Sequence, residues 1–177
     1  HHAAPLRFSM DLLRLGGTLV LNAQFDAKAA LRLLVKERVT HSQWVPTMFT
    51  RLLAERDDNF SAPSHRVAIH AGAPCSVELK REMISWWGPI LHEYYSGTES
   101  IGFTHITSEE WLKKVGSVGR PSGCDIHILN DEAQPLPAGQ RGKVFFSGRE
   151  VVAYHNDPKK TAAARSPQGY STMGDLG

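Results

Sequence analysis

Long apolar runs are missing from this chain. None approaches the roughly 20 consecutive residues that a bilayer-crossing helix needs, and no secretory signal is visible. Cysteine is scarce: Cys75 and Cys124 lie far apart and form no CxxC pair. That excludes a disulfide framework and fits a reducing cytoplasm. Charge of one sign is lacking too. The formal net charge is +2 and the basic residues are scattered, so neither a nucleic-acid surface nor a polybasic membrane surface is implied. Nine histidines stand at no metal-ligand spacing. Internal repeats, low-complexity tracts and flexible linkers are absent.

What is present is ordinary for a soluble globular protein. Hydrophobic residues make up 41% of 177 positions and charged residues 21%, enough for one domain with a real core or for two small ones. The ends are unusual: the chain opens on His1-His2 without Met and stops in the loop-like "STMGDLG". A leading His pair reads as a tag remnant or as the interior of a larger protein.

Helical and strand patterns alternate over the first two-thirds. "SMDLLRLG" reads as a short helix closed by Gly16-Gly17, and "TLVLN" as a buried strand. Asp26 is placed to cap a helix whose apolar face is Ala27, Ala30, Leu31, Leu34 and Val35. "HSQWV" is the next strand. Pro46 opens a helix with Met48, Phe49, Leu52 and Leu53 on its apolar side. After the turn-rich "NFSAPSH" come a strand "RVAIHA", a tight turn "GAPCS" and a helix capped by Ser76. That helix carries Leu79, Met83, Trp86 and Trp87 and is stopped by Gly88-Pro89, before a strand "ILHEYY". The rhythm predicts an α/β fold with a mostly parallel sheet and covering helices over residues 1–114. Residues 115–177 shift to short strands between Gly/Pro turns, such as the alternating "DIHIL" and "KVFFSG". They predict a small antiparallel β module of barrel-like type.

Three stretches could carry chemistry. In "HEYYSGTES", Tyr94 and Tyr95 offer flat rings, Gly97 permits close backbone approach, Thr98 a hydroxyl and Glu99 an oxygen ligand suited to Mg²⁺. Taken alone it reads rather as an exposed polar loop with the tyrosines packed on the core. "HAGAP" leaves a side-chain-poor surface a planar base can lie on, or is simply a strand-to-helix turn. Asp175 in "GYSTMGDLG" can take two ribose hydroxyls, or form an Asx turn.

In the chain order "HAGAP", "HEYYSGTES", "GSVGRP", "GYSTMGDLG", these stretches resemble the adenylate-forming superfamily of acyl-CoA synthetases, luciferases and peptide-synthetase adenylation domains. "HHAAP", "GGTLVLNAQFDAKAALRLLVKERVTHSQWVPTM" and "YHNDPKKTA" extend the resemblance along nearly the whole chain. "EYYSGTESIGFTHITSEEWLKKVGSVGRP" is most similar to bacterial fatty-acyl-CoA synthetases.

The resemblance implies a two-step ligase using ATP, Mg²⁺ and coenzyme A on a fatty acid or a related hydrophobic acid. It implies that Thr98 touches the α-phosphate, that Glu99 ligates Mg²⁺ and that Tyr95 stacks on adenine. Gly72, Ala73 and Pro74 form the opposite wall, Glu93 meets the adenine edge and Asp175 holds the ribose. Tyr94, where many relatives have Gly, stands near the acyl channel. His2 and Trp44, with Val45 and Pro46, belong to the acyl pocket side, although Trp44 reads as well as a core residue. His1 departs from the aromatic residue usual there. Upstream, such enzymes carry a Gly/Ser/Thr-rich phosphate loop, and downstream a small domain with a catalytic Lys. Neither is in this sequence, so it is expected to be an internal fragment of a parent of roughly 500 residues, inactive by itself. The alternatives are an aryl- or amino-acid-adenylating enzyme, or a non-catalytic nucleotide- or acyl-binding module or truncated scaffold.

Overall fold

A computed structural model describes residues 2–149 and 153–177. The chain forms two compact units, His1–Tyr94 with Ile106–Gly119, and Tyr95–His105 with Arg120–Gly177.

The first unit opens with α1 (Ala3–Arg14), which starts six residues before "SMDLLRLG" and closes where Gly16 takes φ +77°. None of its residues is buried, and Leu6, Met10 and Leu13 stand in the open. The expected strand "TLVLN" does not form. Residues 18–22 are irregular, pair with none of the described strands, and leave Leu21 74% exposed. Branched and leucine side chains favour a strand, but only a neighbour's backbone groups can make one.

From Asp26 to Ser96 the expected helices and strands form, although Val35, expected on the apolar face of the helix after Asp26, is 46% exposed. Asp26 accepts from the Ala29 amide at 2.7 Å and starts α2 (Ala27–Lys36), which buries Ala27, Ala30, Leu31 and Leu34. β1 (His41–Trp44) leads into α3 (Pro46–Leu53), with proline at a position whose N–H a helix leaves unpaired. β2 (Val67–His70) is followed by α4 (Val77–Trp87), where Ser76 Oγ accepts from the Leu79 amide at 3.2 Å. Gly88, at φ +81°, turns the chain into β3 (Leu91–Ser96).

β1, β2 and β3 run parallel, with His41 opposite Val67 and Ala68 opposite Leu91. β4 (Phe103–Thr107) pairs antiparallel with β5 (Arg120–Pro121), completing a five-stranded sheet in the order β1-β2-β3-β4-β5. After β4, Thr107 and Glu110 form a capping box at the start of α5 (Ser108–Lys113). The core of the first unit holds Phe49, Leu52, Ala68, Met83 and Leu91, all fully buried. Each of the larger four contributes about 2 kcal/mol by leaving water.

The second unit is built on β6 (Asp125–Leu129) and β7 (Lys143–Ser147), an antiparallel pair in register from Asp125–Ser147 to Leu129–Lys143. Its helix is α6 (Pro158–Ala163). Ile101, Val144 and Phe146 form its core. A parallel-dominated sheet followed by a small antiparallel sheet is the architecture the sequence predicts.

One polar group is buried in the first unit against all expectation for its type. Lys80 is 0% exposed, and its Nζ donates to Glu93 Oε2 at 2.6 Å while standing 4.9 Å from the Trp111 ring centroid. Burial lowers the Lys80 pKa, and the Glu93 carboxylate opposes that. His70, also 0% exposed, lies 4.0 Å from the same carboxylate oxygen. Burial first, and the Lys80 charge second, lower its pKa to about 3, so it is neutral. Neither of its ring nitrogens has a hydrogen-bond partner. His65, whose Nε2 meets Ser42 Oγ at 2.7 Å, is lowered to about 4, chiefly by burial and then by His41.

Two predictions follow from this buried chemistry. Lys80→Met leaves the Glu93 charge uncompensated and should cost about 3 kcal/mol in urea unfolding. Lys80→Met with Glu93→Leu should recover most of it; a single variant as stable as the parent would show that the pair is not what holds α4 to β3. Second, both histidines sit below their unfolded pKa of 6.5. The unfolded chain therefore binds more protons, and their stabilising contribution is complete above pH 6.5 and lost as pH falls toward 4 and 3. His70→Leu should match the parent's thermal midpoint at pH 7 and exceed it increasingly below pH 6.5. Parallel curves would contradict this.

Candidate functional site

The expected nucleotide residues are distributed over both units. In the second unit, Tyr95 and Ser96 are the last two residues of β3, and the following loop is closed by Ser96 Oγ, which donates to Gly102 O at 2.7 Å. The Ser100 amide donates to Gly97 O at 3.1 Å. Thr98 and Glu99 ride on this loop, with Thr98 exposed. Gly97 is needed for space. A Cβ there would collide with Met173 Sδ and come within 2.7 Å of Glu99 Oε2, so the Glu99 carboxylate folds over the Gly97 backbone.

Asp175 reaches the same place from the far end of the chain. The segment carrying it is tied to β7: the Phe146 amide donates to Ser171 O at 2.7 Å and the Val144 amide to Asp175 O at 2.9 Å. Thr172 Oγ1 donates to Val144 O at 2.7 Å and accepts from the Gly174 amide at 2.9 Å. Thus braced, the exposed Asp175 carboxylate accepts from the Tyr95 hydroxyl at 2.6 Å, across 80 positions of sequence. Burial, then this hydrogen bond, raises the Tyr95 pKa, so the phenol remains a donor. Its ring packs at 6.0 Å from that of Phe146. Glu99 Oε1 accepts from the Tyr154 hydroxyl at 2.9 Å. Hydrogen bonding to Glu99 raises the Tyr154 pKa as well. Tyr95, Asp175, Thr98 and Glu99 therefore share one unit, and Tyr154 joins them.

The first unit holds the rest. Gly72, Ala73 and Pro74 form an exposed turn after β2, at the carboxyl end of a parallel strand, where ligands of such sheets bind. Gly72 is at φ +85°, and the nearest atom to a Cβ there would be 3.7 Å away. Conformation, not crowding, calls for glycine. Glu93 points inward to Lys80, and Tyr94, next to it, is half-buried. Trp44 is 7% exposed and packs on Phe25, Phe49 and Trp87 in the core, donating from Nε1 to Ser42 Oγ. His2 is exposed ahead of α1. His1 lies outside the described residues. A cleft of about 290 Å³, lined by Phe60, Ala62, His65, Trp86, Trp87 and Ile90 among others, contains none of the expected residues.

Two residues escape the sequence reading. Lys80 shares the Met83–Trp87 side of α4 at i, i+3, i+7, a spacing that could have flagged it. Tyr154 lies in "YHNDPKKTA", where only the family resemblance pointed.

Among the described residues no cluster of three His, Cys, Asp or Glu side chains could cage a metal. The donor set nevertheless fits Mg²⁺, which takes one or two carboxylates and completes its shell with substrate phosphates and water. Glu99 supplies one such carboxylate, and its Oε2 accepts no hydrogen bond among the described residues.

Comparison with known proteins adds four findings. The family model for AMP-binding enzymes matches residues 1–153. The feruloyl-CoA synthase of an Amycolatopsis species is 30% identical over 99% of this chain and 36% of its own length. The medium/long-chain-fatty-acid–CoA ligase FadD8 of Mycobacterium tuberculosis is 27% identical over 99% of this chain and 31% of its own. The structure of o-succinylbenzoate coenzyme A synthetase from Bacillus subtilis in complex with AMP superimposes with a TM-score of 0.84. It is 26% identical, over 99% of this chain and 36% of that one. This chain spans about a third of the length of the curated relatives it matches.

The loop geometry makes Gly97→Ala informative. The atoms a methyl group meets are flexible side-chain ends, so stability should fall by only about 1 kcal/mol, the low end of overpacking costs. The Glu99 carboxylate should move off Tyr154, as a crystal structure of the variant would reveal. A loss of several kcal/mol with Glu99 in place would mean that the loop, not the carboxylate, gives way.

Proposed function

The chain belongs to the AMP-binding enzyme family, and from that membership we propose that the protein carrying it is an AMP-forming acid–thiol ligase. In the proposed first step a substrate carboxylate oxygen bonds to the α-phosphorus of ATP. The bond from that phosphorus to the oxygen bridging it to the β-phosphate breaks, and pyrophosphate leaves with the electron pair. In the second, the deprotonated sulfur of coenzyme A attacks the acyl carbonyl. The bond to the AMP phosphate oxygen breaks, giving a thioester and AMP.

The acid in this reading is a fatty or similarly hydrophobic carboxylic acid. The name of the Mycobacterium tuberculosis relative points to fatty acids and that of the Amycolatopsis relative to an aryl acid, so the acyl class is the least constrained part. A cytoplasmic location is proposed with it. Among the described residues no helix is long and apolar enough to cross a membrane.

The observation that carries the reading is the hydrogen bond between Tyr95 and Asp175. Two residues proposed to hold one nucleoside, 80 positions apart in sequence, meet in one unit. Tyr95 is proposed to stack on the adenine and Asp175 to take the ribose hydroxyls. Gly72, Ala73 and Pro74 offer the base a surface of small side chains. Thr98 Oγ1 is proposed to donate to the α-phosphate, and such donors stabilise charge that grows during phosphoryl transfer. Glu99 would hold Mg²⁺, which when bound neutralises phosphate charge. Glu93, expected at the adenine edge, instead has its carboxylate engaged by Lys80 and is 7% exposed, so no adenine contact is proposed for it. Tyr94, His2 and Trp44 remain on the proposed acyl side, with Trp44 as support behind the wall.

The test is pyrophosphate release by the full-length protein with ATP, Mg²⁺ and a panel of fatty and aryl acids, together with AMP binding by calorimetry. Release should depend on the acid, and Asp175→Ala should weaken AMP at least about tenfold, the effect of losing a hydrogen bond to a charged group. AMP binding without release for any acid would favour a non-catalytic nucleotide-binding module instead.

A further inference from the structure

The stretch "YHNDPKKT" has no role in the proposed reaction, yet it is one of the most heavily tied loops of the second unit. The Tyr154 amide donates to Thr161 Oγ1 at 2.9 Å, and that hydroxyl donates to Asp157 O at 2.8 Å. Asp157 Oδ1 accepts from the Lys160 amide at 2.8 Å, starting α6. Lys160 Nζ stands 4.0 Å from the centroid of the Tyr154 ring, a cation–π distance. Backbone and ring of Tyr154 are therefore both fixed to the first turn of α6. The phenol hydroxyl projects from this anchor onto Glu99 Oε1, 55 positions away in sequence, at 2.9 Å.

We propose that Tyr154 is a positioning residue for the metal-binding carboxylate: by holding Glu99 Oε1 it directs Oε2 to the Mg²⁺ that arrives with ATP. The proposal rests on the reading of Glu99 as the Mg²⁺ ligand. Glu99 sits on a loop, and its carboxylate lies against the Gly97 backbone, where only the lack of a Cβ makes room. A glutamate so placed has three side-chain torsions to fix. One hydrogen bond from an anchored phenol fixes the orientation of the carboxylate group and leaves one oxygen for the cation. Outer-sphere hydrogen bonds of this kind orient metal ligands and set their affinity. A purely structural clasp between two loops would use the same bond, but it would act on stability and not on the metal.

The experiment uses the full-length protein that carries this chain. ATP binding is measured by calorimetry across a Mg²⁺ series, AMP binding in EDTA, and thermal midpoint separately, for Tyr154→Phe, Thr161→Val and Glu99→Gln. Tyr154→Phe keeps the ring over Lys160 and removes only the hydroxyl. It should raise the Mg²⁺ concentration for half-maximal ATP binding about tenfold, with AMP affinity in EDTA and thermal midpoint as in the parent. Thr161→Val, which cuts the anchor beneath Tyr154, should raise it less. Glu99→Gln should abolish the Mg²⁺ dependence. If it does so while Tyr154→Phe keeps the parent's dependence, the positioning role is wrong and the Glu99 reading stands. If Tyr154→Phe lowers AMP affinity and thermal midpoint together, the bond is a structural clasp and the proposal is again wrong. If Glu99→Gln retains the Mg²⁺ dependence, the Glu99 reading falls and takes the proposal with it.

Discussion

The ion pair of Lys80 and Glu93 is the constraint on which the first unit turns. A carboxylate that is 7% exposed and a fully buried ammonium tolerate their surroundings only together. Their 2.6 Å contact therefore fixes α4 against β3 in one register. A slip of one residue along β3 would turn the Glu93 side chain to the opposite face and leave both charges alone. The neutral His70 beside them leaves the pair undisturbed, since burial and the lysine charge together keep a second cation out. Tyr95 lies two residues further along the same strand.

The second unit solves a different problem: presenting polar groups on a loop without letting them wander. It does so with phenols. Tyr95 and Tyr154 each give a hydroxyl to a carboxylate, Asp175 and Glu99 respectively. A tyrosine is suited to this because its ring has two torsions and can be held by packing, on Phe146 in one case and under Lys160 in the other. The donor then comes already oriented. Both phenol pKa values are raised, so neither hydroxyl gives up the proton that makes the bond.

Much of this was legible in the sequence where the cause is local. Asp26 and Ser76 cap the helices they precede, Pro46 opens α3, and the 3.6-residue spacing of Ala27 to Leu34 picks out the buried face of α2. The alternation in "DIHIL" gives β6 its antiparallel partner type. "TLVLN" misled because strand composition says nothing about whether a partner strand is at hand. The Lys80–Glu93 pair left only a partial trace, the spacing that puts Lys80 on the Met83–Trp87 side of α4. A lysine on a helix reads as solvated, and only tertiary packing can bury it. In the site, Tyr95, Thr98, Glu99 and Asp175 could be named from motifs, but the hydrogen bonds that engage three of them are contacts over 55 and 80 positions. No local pattern encodes the distance between two loops.

The donor set also constrains how a cation could be used. Among the described residues Glu99 stands without two further protein ligands, so there is no cage to hold Mg²⁺ in advance. A single carboxylate binds Mg²⁺ weakly in water, because the ion gives up its hydration shell reluctantly. On the proposed reading the remaining ligands are phosphate oxygens and water, so the ion and the nucleotide bind as one unit and each raises the affinity for the other. Pre-orientation of that carboxylate then matters more than it would in a site caged by several protein ligands. Gly97 and Tyr154 both act on this point. The first makes room for the carboxylate over the backbone, and the second fixes which of its oxygens is left to bind.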